Sequence, residues 1–289
     1  MLLRGVDALR EAHQGQRALC GFSTYNAETT AAIVGAAELT GLPVLLQAGS
    51  SAFRYAGLDT LARAALTAAA GTSAQVGVHL DHSRSLAEIA ECLRLGYSSV
   101  MVDGSHLPFE ENVALTCEAV RMGRAAGAWV EGELGAVTGD EDVSQATAAG
   151  QMTDPVQAEQ FVERTGVDAL AVAIGNVHGT AGPAPVLDLD RLADLAARLE
   201  VPLVLHGASG VPDEVLQRAV RGGVAKINVN TELRAAFFAA LAQALPGSTP
   251  GLDLPALLRP VVTAVRDVAV SKVEAVTRPL TDHRPARAR

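Results

Sequence analysis

Apolar positions along the chain come in runs of four to seven residues, each followed by a longer stretch of helical periodicity. The runs fall at Ala18–Phe22, Val44–Gln47, Val76–Leu80, Ser98–Val102, Ala128–Glu133, Asp168–Ile174, Val201–His206 and Val224–Asn228. Amphipathic stretches follow near 27–40, 57–70, 85–95, 110–125, 155–165, 188–199, 212–221 and 231–244. Short runs that are apolar on both faces and alternate with helices predict a parallel sheet covered on both sides. Eight such units predict an α/β fold, a (β/α)8 TIM barrel forming one domain over 1–280. The alternative is a doubly wound open sheet. That fold usually opens with a Gly-rich turn, and no GxGxxG follows the first run. Helix punctuation agrees with the pattern. Thr153-Asp154-Pro155 and Val211-Pro212-Asp213-Glu214 read as starts, and Gly41, Gly71, Gly96 and Gly127 read as residues just past helix ends.

Two segments depart from the repeat. Leu134 to Met152 is long, rich in Gly, Ala and Thr, and carries Asp140-Glu141-Asp142, which reads as a functional loop or lid. From Pro246 a Pro/Gly linker leads to a C-terminal helical extension near 255–277, expected to pack or to contact another subunit. The last residues, 281–289, read as a disordered tail.

The polar residues at the C-terminal ends of the runs form a series. Asn26 follows the first; Gln47, Ser50 and Ser51 the second; Asp81 and His82 the third; Asp103 the fourth. Glu131 and Glu133 end the fifth, Asn176 and His178 follow the sixth, His206 and Ser209 the seventh, and Asn228 and Asn230 the eighth. In a barrel those ends share one face, the face where catalytic groups gather.

Composition narrows the function classes. A formal charge of −9 argues against a nucleic-acid footprint but leaves room for an anionic substrate bound locally. Three sparse cysteines, Cys20, Cys92 and Cys117, suggest free thiols of a reducing compartment. The N-terminus shows no long apolar segment and no run reaches 18 apolar residues, so neither a signal peptide nor a membrane span is expected, and the cytoplasm is the expected location.

His82, His178 and His206, each at a strand end on one face, are candidates for a catalytic zinc with an open position. His13, His79, His106 and His283 are weaker candidates. Strand alternation would send Asp81 and His82 to opposite sides, leaving Asp81 as either a residue that orients a ligand or a general acid/base. Glu141 is either a solvated charge or a proton-transfer group delivered by loop closure. Segments 206–213 and 226–232 run through small polar residues into helix N-termini, the usual phosphate site of a barrel.

These residues carry a family resemblance. The motifs His79-Leu80-Asp81-His82, Met101-Val102-Asp103-Gly104-Ser105-His106, Glu131-Gly132-Glu133-Leu134-Gly135, Ala171-Val172-Ala173-Ile174-Gly175-Asn176-Val177-His178-Gly179, His206-Gly207-Ala208-Ser209-Gly210 and Asn228-Val229-Asn230-Thr231-Glu232-Leu233 run in order over most of the chain. The chain resembles class II, metal-dependent fructose-bisphosphate and tagatose-bisphosphate aldolases, most closely the short tagatose type. That resemblance implies Zn2+ on His82, His178 and His206, with Asp81 as the acid/base and Glu141 as the proton donor to the carbon left by cleavage. It implies a second divalent ion on Asp103 and Glu133 in some members, and a monovalent cation (Na+ or K+) near Gly179 and Gly207. It further implies a phosphorylated-sugar pocket drawn from Asn26, Ser50, Gly179, Gly207, Ser209, Asn228, Asn230 and Thr231, with Arg259 reaching a neighbouring subunit of a homodimer or homotetramer. The loop Gln47–Phe53 reads as shorter than the family's. A Schiff-base route needs a desolvated lysine, and of the two lysines only Lys226 is near the right face. Rivals are an aldolase for another ketose phosphate, a metal-dependent hydrolase on the same barrel, and a non-catalytic partner subunit, which metal content per chain would separate.

Overall fold

The computed structural model describes residues 2–138, 150–179, 184–248 and 253–277. Eight strands follow in order: β1 (Leu19–Ser23), β2 (Val44–Gly49), β3 (Val76–Ser83), β4 (Ser99–Val102), β5 (Trp129–Leu134), β6 (Ala169–Val172), β7 (Leu203–Leu205) and β8 (Val224–Val229). Each pairs in parallel with the next, and β1 pairs with β8, so the sheet closes in sequence order. Helices fill the connections: α1 (Asp7–Gln14) precedes β1, then come α2 (Ala27–Thr40), α3 (Ser50–Ala56), α4 (Leu58–Gly71), α5 (Leu86–Leu95), α6 (Phe109–Ala126), α7 (Pro155–Thr165), α8 (Leu189–Arg198), α9 (Asp213–Arg221) and α10 (Thr231–Ala244). A C-terminal helix, α11 (Leu254–Thr277), packs on α2, α9 and α10. This is a TIM barrel with a C-terminal helical extension.

Strand alternation divides the apolar residues into two cores. Phe22, Leu46, Val78, Leu80, Val100, Val130, Leu170, Leu205 and Ile227 point outward and join the large cluster beneath the helices. Leu19, Leu45, Met101, Trp129, Ala169, Ala171, Val204 and Ala225 point inward, and Leu9 of α1 closes the floor of the barrel against them. Gly77 leaves the space that Leu45 fills, since a Cβ there would lie 2.5 Å from Leu45 Cδ2.

Local signals set most of the boundaries. Asn26 and Thr29 form a reciprocal capping box on α2, and Asp154 accepts from Val156 and Gln157 with Pro155 opening α7. Gly41, Gly96 and Gly127 take the left-handed conformation after their helices. Gly71 differs from its expected place: it is the last residue of α4, and Thr72 follows as an extended cap. The Gln47–Phe53 segment forms the end of β2 and the first turn of α3, seated by buried Ala52 and Phe53. The expected tail 281–289 and most of the proposed lid, 139–149 with Glu141, lie outside the described residues. No helix among the described residues is long and apolar enough to cross a membrane.

Candidate metal centre and active site

The end of β3 is irregular, and the irregularity shapes the site. Leu80 pairs with Val100 and Ser83 with Val102, so Asp81 and His82 together face Met101 alone. One extra residue makes a β-bulge, and His82 takes a left-handed φ of 44°, a conformation that costs energy outside glycine. The bulge resets the alternation. Asp81 and His82 line the same cavity, which corrects the expectation that they would face opposite sides.

Three histidines converge above that bulge. The ring centroids of His82 lie 4.5 Å from His206 and 4.7 Å from His178, with the planes 74° and 88° apart. His178 and His206 are 5.7 Å apart at 84°. Their ligating atoms lie within 4.8 Å of one another, an arrangement that could hold a metal ion. His206 is oriented from behind: its Nε2–H donates to Glu131 Oε1 at 2.7 Å, which turns Nδ1 toward His82 Nε2, 2.8 Å away. A carboxylate on the far nitrogen is the usual device for fixing a metal-binding imidazole. Gly207 follows in a left-handed conformation (φ 58°) directly against the Val177 carbonyl, where a side chain would collide.

A buried polar layer supports both the ligands and Asp81. Lys226 Nζ donates to Glu131 Oε2 at 2.9 Å and to Asn228 Oδ1 at 2.8 Å. That fixes the Asn228 amide, whose Nδ2 donates to Asp81 Oδ1 at 3.0 Å and lies 3.0 Å from His206 Nδ1. Gln47 Nε2 donates to Asp81 Oδ2 at 3.0 Å. Lys226 enters the lumen because β7 and β8 slip by one residue at Ala225. It is fully buried and paired. His79 stacks on Trp129 and bonds Ser99 at 2.8 Å; burial first, and Lys226 second, hold its imidazole well below its usual range.

A second set of donors sits beside the first. His82, Asp103 and Glu133 also bring ligating atoms within 4.8 Å of one another, with His82 Nδ1 3.7 Å from Asp103 and 3.5 Å from Glu133. Burial alone would lower the His82 imidazole, yet Asp81, Asp103 and Glu133 raise it to about 10. Burial and then the Asp103 charge push the Glu133 carboxyl up to about 7, and its Oε2 is buried with no hydrogen bond. Burial would likewise raise Asp103, but His82, Ser105 and Arg84 hold it well below the usual carboxylate range. Carboxylates gathered around imidazoles, with a buried carboxylate oxygen unsatisfied, form a donor set that fits a cation.

The remaining candidates divide. Asp81, Ser50, Asp103 and His178 line one cavity with His82. Asn26 is occupied as the cap of α2, and Ser50 donates to Glu88 at 2.7 Å. Asn230 exchanges hydrogen bonds with Tyr25, while Thr231 opens α10. Ser209 is buried in the loop after β7, and Gly179 has a left-handed φ of 59° at the edge of the described residues. Arg259 is exposed on α11 and is not brought to the cavity within this chain. Two arginines that the sequence did not single out do border the cavity: Arg54 on α3 and Arg84, two residues beyond His82. The only signal for Arg84 was that proximity. The three cysteines are free, and burial pushes the Cys20 and Cys92 thiols up, away from reactivity.

Comparison with known proteins bears on the family and the fold. The family model described as "Fructose-bisphosphate aldolase class-II" matches residues 4–278. The structure of the YdjI aldolase from Escherichia coli K12 is 34% identical, with a TM-score of 0.85 covering 96% of this chain and 97% of that one. A fructose-bisphosphate aldolase from Campylobacter jejuni shares the fold at 21% identity, with a TM-score of 0.78 and 93% of both chains covered.

Proposed function

This chain belongs to the class-II fructose-bisphosphate aldolase family and is an aldolase, a lyase; from that premise we propose a zinc-dependent enzyme acting on a ketose 1,6-bisphosphate. The substrate in this reading is the fructose or tagatose epimer, cleaved reversibly to dihydroxyacetone phosphate and glyceraldehyde 3-phosphate. The observation that carries it is the convergence of His82, His178 and His206 beside Asp81. Those histidines would hold the ion; when bound, zinc supplies Lewis-acid polarisation of the ketone.

Asp81 takes the proton from the hydroxyl whose oxygen becomes the aldehyde carbonyl as the C–C bond breaks. Gln47 and Asn228 each donate to one of its oxygens and hold the carboxylate toward the cavity. Glu141 is the proposed proton donor to the carbon left electron-rich. Gly179, Gly207, Ser209, Asn228, Asn230 and Thr231 form the proposed phosphate end. Asp103 and Glu133 are suited to a second divalent ion, and the backbone at Gly179 and Gly207 to a monovalent cation. A homodimer or homotetramer is supported by Phe238, Leu245 and Leu254, large apolar side chains exposed on α10, after it and on α11 near Arg259.

Dialysis against a strong chelator should abolish cleavage, and zinc should restore it. Borohydride added with substrate should leave activity intact, because Lys226 is held in a buried ion pair. A borohydride adduct on Lys226 would overturn the metal route. Side-by-side cleavage of the two epimers names the sugar if the preference exceeds about tenfold, roughly 1.4 kcal/mol in transition-state binding.

A further inference from the structure

We infer that Lys272 and Glu232 are a positioning pair through which the C-terminal helix fixes the Ser209–Gly210 peptide at the phosphate end, an inference that rests on the aldolase reading above. The loop after β7 carries a tight turn, closed where the Val211 N–H donates to the Ala208 carbonyl at 3.2 Å. Ser209 and Gly210 are its central residues. Gly210 takes a left-handed φ of 80°, as the third position of a type II turn requires. Types I and II differ mainly by a flip of the central peptide, and glycine at the third position admits both. The turn therefore has two accessible states, which point the Gly210 N–H and the Ser209 carbonyl in opposite directions.

One bond selects between them. The Gly210 N–H donates to Glu232 Oε1 at 3.0 Å, crossing from the β7 loop to the first turn of α10. Glu232 directly follows Thr231, so it ties together the two loops that supply the proposed phosphate end. Lys272 of α11 steadies that carboxylate. Its Nζ lies 3.3 Å from Glu232 Oε1 and donates to Asp213 Oδ1, in the first turn of α9, at 3.0 Å. Burial alone would lower the Lys272 pKa, yet Glu232 and then Asp213 raise it above its usual value, so the cation is held charged.

Stability alone does not account for this arrangement. Glu232 Oε2 is buried with no hydrogen bond among the described residues, which costs free energy. Asp213 and Glu232 also place two carboxylates in the first turns of α9 and α10, beside the loops proposed to receive a phosphate. Uncompensated, they would repel that anion. Lys272, one of two lysines in the chain, offsets both. The pair thus holds the turn in one state and removes the charge that the holding introduces.

The test compares the zinc-loaded parent with Glu232→Ala, Lys272→Met and Lys272→Arg. The measurements are steady-state cleavage of fructose and tagatose 1,6-bisphosphate, and amide hydrogen exchange at Gly210. In Glu232→Ala and Lys272→Met, KM should rise about tenfold while kcat stays within about twofold, the signature of lost uniform binding. Exchange at Gly210 should quicken in both, and Lys272→Arg should restore both readouts. A KM unchanged in Glu232→Ala overturns the positioning role even if Lys272→Met raises it, because the lysine would then act only as a counter-charge. If Glu232→Ala does not fold, Lys272→Met decides: a raised KM with unchanged exchange at Gly210 overturns the inference, and a rise in both supports it. Either failure leaves the aldolase reading standing. Absence of cleavage by the parent overturns that reading and this inference with it.

Discussion

Two layers of the barrel interior, one side-chain repeat or roughly 7 Å apart along the strands, are filled on opposite principles. The floor is apolar, with Leu19, Leu45, Met101, Trp129 and Val204 sealed by Leu9. The layer above holds Gln47, His79, Glu131, His206, Lys226 and Asn228, all essentially inaccessible to water. Apolar burial stabilises at about 25 cal/mol per Å². A buried ion pair such as Lys226–Glu131 often contributes less than an apolar pair of similar volume would. The polar layer is thus a poor way to stabilise a barrel and a good way to aim side chains. Its bonds run from Lys226 through Glu131 to His206 and through Asn228 to Asp81, so one ammonium group orients a candidate ligand and the candidate base together.

Variants in the two layers should separate these roles. Lys226→Met strands the Glu131 charge and should destabilise the fold by about 3–5 kcal/mol in urea unfolding. Lys226→Met/Glu131→Gln should recover much of that loss; a loss below about 1 kcal/mol in the single variant would show that the pair is not needed for folding. In the floor, Leu45→Ala should cost about 3 kcal/mol through the cavity it leaves, with zinc content per chain unchanged. If it released zinc instead, the layers would not be independent. Glu131→Gln should weaken metal binding by about 10- to 100-fold in calorimetric titration, and because it strands the buried Lys226 ammonium it should also destabilise the fold by an amount comparable to Lys226→Met.

The smallest effect is a pH slope. His79 is held below its unfolded pKa of 6.5, so the unfolded chain binds the extra proton first. Stability from this group is complete above that value and falls as pH drops below it, by at most about 1.4 kcal/mol per pH unit. His79→Gln should therefore show a shallower loss than the parent in unfolding curves from pH 6.5 downward. Parallel curves would place the titration elsewhere.

The sequence revealed the barrel because its signals are local. The apolar runs fall on the eight strands, and Asn26, Asp154 and the glycines after α2, α5 and α6 mark helix ends. The three histidines were legible because closure of a barrel brings every strand end to one mouth. What escaped depends on register or on elements too short to show a period. Alternation alone could not reveal the bulge at Asp81–His82 or the slip at Ala225 that turns Lys226 inward, since both are set by pairing with a neighbouring strand. The seven residues of α3 begin with Ser50 and Ser51 directly after Gly49, a sequence that reads as a turn, and so Arg54 was not placed beside the cavity. The eight residues of α1 do carry an apolar face, with Ala8, Leu9 and Ala12 buried, but they precede the first strand and so stand outside the strand–helix repeat, although Leu9 closes the floor.

Closure of β1 against β8 has a consequence for how the molecule is made. His82 precedes His206 by 124 positions, and the Lys226 and Asn228 side chains that steady the centre come later still. On the ribosome, a nascent chain that has exposed His82 and even His178 lacks the third imidazole and the cross-lumen bonds from β8. If the three histidines hold a metal ion as proposed, such a chain would offer it fewer and less fixed ligands than the closed barrel does. Metal capture would then belong to the end of biogenesis, and a truncated chain stopping before β8 would bind the ion less well.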